Sequence, residues 1–288
     1  MDEPTHENII SPSQGVHVVL DKSFLPGDTA ILVPHTDDGR VLFAVPWHNK
    51  IIIGTTDTPV DAHDDKTLRE PVALHEEVDF ILQQIARYLT KDPTRKDIRS
   101  VFAGLRPLVK GDSKKTAELS RDHLITVSDA GLISITGGKW TTYRRMAEDV
   151  INTAIQKNSL EDKKCVTNDL KIHAAQEESD FNRPLYYYGT DEIKIKSLVE
   201  NNKALGELLH PDLPYILAEI AWAVREEMCL TVEDALTRRT RALLLDAKAA
   251  IEASPVVAAL MAKEMNKDQQ WQDEQLSEFK KLAQNYLP

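Results

Sequence analysis

The sequence predicts an α+β protein: an antiparallel to mixed sheet with packed helices, followed by an all-helical carboxyl-terminal unit. Three observations carry this. Short β-branched runs broken by turn residues fill the segment from Val16 to Gly54. Apolar residues then recur at helical spacing between Leu74 and Leu89. Residues 157–184 are charged and poor in large apolar groups, and beyond them the pattern is helical to the end.

The first strands are expected at Val16 to Leu20, Ala30 to Val33, Val41 to Val45 and Ile51 to Gly54. Thr36-Asp37-Asp38-Gly39 and Trp47-His48-Asn49-Lys50 read as hairpin loops, so the last three of these strands form an antiparallel meander. The helix carrying Leu74, Val78, Ile81, Leu82, Ile85 and Leu89 is bracketed by Pro71 and by Asp92-Pro93. Strands return at Ile98 to Leu105, Leu124 to Val127 and Leu132 to Ile135, with a polar loop at Gly111 to Lys115. A helix from Thr142 to about Gln156 closes the α+β unit. In the helical unit, Thr231-Val232-Glu233-Asp234 fits a capping box opening a helix through Leu245. These patterns set domain boundaries at 1–158, a linker at 159–184, and 185–288.

A formal net charge of -11 argues against nucleic acid as the main partner, since a phosphate backbone would be repelled. Any small anion must find a local basic cluster. Cys165 and Cys229 are the only cysteines, so there is no disulfide framework and the expected compartment is reducing, hence cytoplasmic. Neither spacing nor neighbours suggest a metal site. The start Met1 to Glu7 is polar and acidic, unlike a signal peptide, and no stretch is long enough to span a bilayer. Composition leaves peripheral membrane contact open.

The most informative stretch is Gly137-Gly138-Lys139-Trp140-Thr141-Thr142, continued by Tyr143 and Arg144-Arg145. It reads as strand, glycine turn and helix N-terminus. Glycines let a ligand approach the backbone closely, and first-turn N–H groups with the helix dipole behind them attract an anion or electron-rich heteroatom. A tight connection is the plain alternative, and Lys139 with the arginine doublet favours a binding site. Neither G-x-G-x-x-G nor the phosphate-loop pattern occurs, so any diphosphate-binding half of a dinucleotide site lies elsewhere.

Several stretches resemble the aerobic, FAD-dependent glycerol-3-phosphate dehydrogenases of the D-amino-acid-oxidase-like flavoprotein superfamily. They are Ser13 to Leu20, Val45-Pro46-Trp47, Gly54-Thr55-Thr56-Asp57-Thr58, Gly104-Leu105-Arg106-Pro107-Leu108, Ser120-Arg121-Asp122-His123, Gly137 to Arg144 and Glu233 to Arg241. Together they run in family order over nearly the whole chain. The family's N-terminal Rossmann segment is missing, so the chain looks like the carboxyl-terminal portion of such an enzyme: the substrate sheet, the last strand and helix of the FAD domain, and a helical cap. The resemblance implies oxidation of sn-glycerol 3-phosphate to dihydroxyacetone phosphate, with hydride passing to FAD and electrons to a membrane quinone. It implies a peripheral place on the inner face of the cell membrane. The portion alone is expected to hold no FAD and to be inactive, and the surface left for the missing segment makes a homodimer plausible.

By resemblance, Gly137, Gly138, Lys139, Trp140, Thr141 and Thr142 face the flavin's pyrimidine edge. Arg106, Arg121 and Lys139 form a cationic pocket for the substrate phosphate, for which the planar arginine fork is suited. His17 becomes a substrate contact and a candidate base for the C2 hydroxyl proton. The catalytic set is therefore His17, Arg106 and Lys139. On sequence alone, a histidine placed like His17 is more often a hydrogen-bonded core residue, and an arginine placed like Arg106 a solvated or salt-bridged strand end. Thr55, Thr56 and Asp57 either shape the pocket or form a plain turn. His48 and His123 read as surface-loop residues, Tyr186 to Tyr188 as packing the linker, and Arg238, Arg239 and Arg241 as intrahelical ion-pair partners. Two other functions remain: an amine- or amino-acid-oxidising FAD enzyme, and a non-catalytic interaction module.

Overall fold

The computed structural model describes residues 9–109, 122–181 and 183–288. The loop expected at Gly111 to Lys115 lies outside the described residues. A six-stranded sheet holds β1 (Ile10–Asp21), β2 (Ile31–Val33), β3 (Leu42–Trp47), β4 (Lys50–Gly54), β5 (Thr58–Pro59) and β6 (Ser100–Val109). Its order is β2-β3-β4-β1-β5, with β6 also paired to β1. A separate antiparallel pair holds β7 (His123–Val127) and β8 (Ile133–Gly137). Early helices are α1 (Asp65–Arg69), α2 (His75–Ala86) and α3 (Tyr143–Asn158). The carboxyl-terminal part is all helical, with α4 (Glu192–Asn201), α5 (Leu217–Glu226), α6 (Ala242–Leu245), α7 (Ala247–Met265) and α8 (Gln269–Ala283).

The expected meander is present, since β2 pairs β3 and β3 pairs β4, both antiparallel. His48 and Asn49 make the β3–β4 turn with φ of 45° and 61°. Two positive φ values in a two-residue loop give the mirror-image turn whose twist matches that of the strands.

The chain forms two compact units, neither continuous in sequence. The first takes residues 1–15, 57–71 and 104–172; the second takes 16–56, 72–103 and 173–288. The cut at 172 falls inside the segment expected as a linker. In the second unit the central strands group with the helices: the Ser100 hydroxyl donates to the Leu243 carbonyl at 2.8 Å and the Ala247 N–H to the Arg99 carbonyl at 3.0 Å. Val16, Val18, Leu42, Ile51 and Ile53 pack against Val78, Ile81 and Ile85 of α2, and these residues are almost fully buried. A second cluster centres on Tyr215, Leu236, Leu243, Val257 and Phe279.

One expected helix is broken. The capping pair forms, with Asp234 N–H to Thr231 Oγ1 at 3.0 Å and Thr231 N–H to Asp234 Oδ2 at 3.1 Å. The chain then makes a π-helical turn from Asp234 to Arg239 and passes through extended backbone at Thr240 before α6 begins. The Thr237 and Thr240 hydroxyls donate to the carbonyls of Glu233 and Ala235, and such side-chain bonds compete with helical pairing. His123 is on β7 rather than in a loop, with its Nε2 3.1 Å from Asp149 Oδ2.

A buried carboxyl ties this unit's stability to pH. Glu219, in the first turn of α5, is 1% exposed. It accepts from the Tyr187 hydroxyl at 2.6 Å and the Ile216 N–H at 2.9 Å. Burial outweighs those donors and pushes its pKa from 4.5 up to about 7. Below pH 4.5 both folded and unfolded chains hold the proton. As pH rises toward 7 the unfolded chain ionises first, so stability falls across that window and levels off above it. The difference corresponds to about 3 kcal/mol. Denaturant unfolding of Glu219→Gln and the parent at pH 4.5 and 7.5 should show the parent losing about that much more than the variant. Equal pH slopes for the two proteins would refute this account.

Candidate functional site

His17 is held on β1 in the second unit. Its register partner is Gly54 on β4, and its imidazole stacks on Phe102 with ring centroids 5.1 Å apart and an interplanar angle of 13°. A Cβ at Gly54 would lie 2.2 Å from His17 Cδ2, so the glycine is what gives the ring room. Beside it, Thr56 is 1% exposed. Its hydroxyl accepts the Val16 N–H at 3.0 Å and donates to Glu77 Oε1 at 2.8 Å. The other oxygen of Glu77 accepts the Leu74 N–H at 3.0 Å. The backbone next to His17 is thereby tied to the start of α2. Of the alternatives for the 55–57 stretch, Thr56 takes an internal structural place.

Arg106 sits on β6 in the first unit, half-buried. Its Nη1 lies 3.6 Å from Asp57 Oδ1, and the same carboxylate oxygen accepts the Ser13 hydroxyl. Arg106 lines a 330 Å³ cavity with Ile10, Pro12, Ala62, Leu68 and Leu105. Arg106 is the charged residue of that lining. An apolar wall strengthens its field, because fewer waters screen it. Of the two readings sequence reasoning left for Asp57, a pocket residue or a plain turn, the position beside Arg106 favours the first. The signal was available in the sequence, as a carboxylate shortly after a strand in the stretch that contributes Gly54 and Thr56.

Gly137 and Gly138 have φ of 77° and 81°, the left-handed region that suits glycine. A Cβ on Gly137 would stand 2.9 Å from the Asp122 carbonyl oxygen, and one on Gly138 2.4 Å from Met146 Sδ. The gap left by the absent side chains is therefore filled by the chain itself. This corrects the expectation that the gap serves a ligand. The surface open to a ligand begins at Lys139. That residue precedes a 3₁₀ turn, Trp140–Thr142, that runs into α3; its N–H donates to Thr142 Oγ1 at 3.3 Å. Lys139, Trp140, Thr141 and Thr142 are all exposed, Trp140 at 86%. Trp140 stacks on Tyr143 with centroids 5.5 Å apart.

Arg106 and the 137–142 segment belong to the first unit and His17 to the second. Arg121 lies outside the described residues. Sequence reasoning missed a cavity of 370 Å³ in the second unit, whose walls include Trp47, His48, Tyr186, Tyr187, Arg239 and Arg241. His48 is half-buried there, not a surface-loop residue. Only Arg238 keeps the expected intrahelical pairing, with Glu233 and with Asp234 at 2.9 Å.

The FAD dependent oxidoreductase family matches residues 1–144, and the C-terminal domain of alpha-glycerophosphate oxidase matches residues 132–273. A probable mitochondrial glycerol-3-phosphate dehydrogenase of Caenorhabditis elegans is 38% identical over 92% of this chain and 39% of its own length. The mitochondrial glycerol-3-phosphate dehydrogenase of Homo sapiens is 35% identical over 98% of this chain and 41% of its own. The solved glycerol-3-phosphate dehydrogenase of Bacillus halodurans, complexed with FAD, superposes with a TM-score of 0.77 at 27% identity. It is covered over 58% of its length, and this chain over 97%. The chain thus spans about two fifths of those two curated relatives.

Proposed function

Because the chain belongs to the family of FAD-dependent oxidoreductases, we propose that it forms the substrate-binding sheet and helical domain of a glycerol-3-phosphate dehydrogenase. The reaction is oxidation of sn-glycerol 3-phosphate to dihydroxyacetone phosphate. The observation that carries this reading is Arg106, which lines an otherwise apolar cavity and whose guanidinium lies beside the Asp57 carboxylate. A phosphate dianion calls for that kind of donor, since the fork binds two oxygens at once and the carboxylate fixes its plane. The names carried by the relatives support it across nearly the whole chain.

The chain's own residues divide the work. Arg106 binds the phosphate, with Arg121 as a second cation. His17, its ring fixed by Phe102 and by the space at Gly54, takes the proton of the C2 hydroxyl. Lys139 adds positive charge where negative charge develops. FAD, when bound, supplies the two-electron acceptor. The residues present fit it: the helix opening at Trp140 and Thr141 is exposed, its N–H groups lack intrahelical acceptors, and Lys139 stands next to it. Lys139 to Thr142 would hold the electron-rich edge of the ring, with Gly137 and Gly138 shaping the turn that presents them.

Electrons are proposed to pass to a quinone, with the enzyme peripheral on the inner membrane face. No helix among the described residues is long and apolar enough to cross a membrane. Leu32, Phe43 and Val45 expose apolar surface on β2 and β3, which supports a contact there with another chain or domain, a homodimer included.

Two measurements test the proposal. The 288-residue chain alone should purify colourless and leave an artificial electron acceptor unreduced on addition of sn-glycerol 3-phosphate. Supplied with a glycine-rich dinucleotide-binding segment, it should turn yellow and reduce the acceptor. A flavin absorbance band in the chain alone would contradict the first expectation. Preference of the assembled protein for an amino acid would overturn the substrate assignment.

A further inference from the structure

The 370 Å³ cavity in the second unit lies outside the machinery assigned above. We propose that it binds a small ligand in which a planar aromatic ring is joined to an anionic group, as in a mononucleotide. The inference is independent of the glycerol-3-phosphate reading. The cavity is within the size range of small-molecule sites, about 300–1,000 Å³.

Its ring-binding side is built from distant parts of the chain. The β3–β4 turn brings in His48, whose imidazole is 4.7 Å from the Trp47 ring, 6.3 Å from Tyr186 at an interplanar angle of 29°, and 5.9 Å from Tyr187 edge-on. Tyr187 is fixed by its hydrogen bond to Glu219. Aromatic faces held in this way offer stacking surface that an incoming ring need not organise, and stacking contributes about 1–3 kcal/mol per base in nucleic-acid sites.

The anion-binding side arises from the broken helix. The π turn and the extended Thr240 give Arg239 and Arg241 partners other than Glu233 and Asp234. Arg239 Nε donates to the Glu227 carbonyl at 2.8 Å, with the Glu227 carboxylate 4.0 Å away. Arg241 Nη1 donates to the carbonyls of Arg238 at 2.7 Å and Thr237 at 3.2 Å. Its backbone N–H donates to the Tyr215 hydroxyl at 3.0 Å. Among the described residues no carboxylate pairs with Arg241. Carbonyl bonds fix its guanidinium without neutralising it, in a protein whose net charge is -11. A fixed, uncompensated fork beside stacked rings suits an aromatic anion better than either an apolar ring or a bare anion.

Calorimetric titration of the chain with AMP tests this, with adenosine and ribose 5-phosphate as half-ligands and 4-hydroxybenzoate as a carboxylate source. AMP should bind at least tenfold more tightly than either half-ligand. Tighter binding of 4-hydroxybenzoate than of AMP also supports the site and places the ligand among aromatic carboxylates. Arg241→Gln should weaken AMP at least tenfold. Tyr186→Leu, a change on the half-buried cavity wall that keeps apolar bulk, should weaken AMP at least fivefold and leave ribose 5-phosphate unchanged. Melting curves identify any variant that fails to fold, and Tyr186→Leu then decides. Equal affinity for AMP and adenosine, no response in the folded variants, or no binding of AMP or 4-hydroxybenzoate at millimolar concentration overturns the proposal.

Discussion

Replacing Arg106 by alanine is expected to lower kcat/KM for sn-glycerol 3-phosphate by about a thousandfold in the assembled flavoprotein. The change removes the fork from the phosphate and leaves the half-buried Asp57 carboxylate facing the place where a dianion must sit. A hydrogen bond to a charged group contributes about 1.5–3 kcal/mol, an arginine fork can make two to one phosphate, and each 1.36 kcal/mol is a factor of ten in rate. Arg106→Lys should fall between the two, because it keeps the charge and loses the two-oxygen geometry. Asp57→Asn should raise KM with a smaller effect on kcat, since Asp57 acts by setting the arginine's plane. Steady-state kinetics on the three variants provide the check. An unchanged KM in Arg106→Ala would remove Arg106 from the phosphate site.

Gly54→Ala is expected to be as damaging, although glycine has no side chain to take part in the chemistry. The new methyl group would arrive 2.2 Å from His17 Cδ2, far inside contact distance. The imidazole must then leave its stack on Phe102 or the two strands must part. Overpacking of this kind costs about 1–3 kcal/mol of stability. Displacing His17 from its proposed place as general base should cost a further factor of about 10²–10⁴ in turnover. Two consequences separate the clash from an unrelated strand defect. In a His17→Ala background the same glycine substitution should cost almost nothing in stability, because the methyl group then has space. The measured coupling between the two positions should therefore be large, as expected for residues in contact. Additive losses across that double-mutant cycle would show that the ring and the glycine do not compete for one volume.

Much of the fold was legible because local patterns and tertiary packing agree. The alternation of Leu42, Phe43, Ala44 and Val45 sends two residues inward and two outward in the structure, as a period of two requires. The apolar positions of α2 point at the same strands that the turn signals had set side by side. Legibility ended where one residue had two physically sound futures. Arg239 and Arg241 follow Glu233 and Asp234 along an expected helix, and that helix breaks where the hydroxyls of Thr237 and Thr240 bond to backbone carbonyls. The three consecutive tyrosines could not reveal that their neighbours would be a hairpin turn more than 130 positions earlier. At the candidate site, Arg106, the Gly137 segment and the stretch holding Asp57 stood out through resemblance, but Asp57 kept two readings, because a short acidic residue after a strand is also what an ordinary turn looks like. The glycine pair taught a different lesson: its positions were found, and the reason for them was not ligand clearance but the proximity of Asp122 and Met146.

The solvent-facing indole of Trp140 gives the molecule a built-in optical probe. Its emission should lie toward the red in the isolated chain, as for any indole bathed in water. Anything that settles over the start of α3 must expel that water and move the emission to the blue, and an isoalloxazine ring placed there would quench it as well. Fluorescence of the unlabelled protein can therefore track assembly with a flavin-bearing segment in real time, and Trp140→Phe would show how much of the signal belongs to this one side chain.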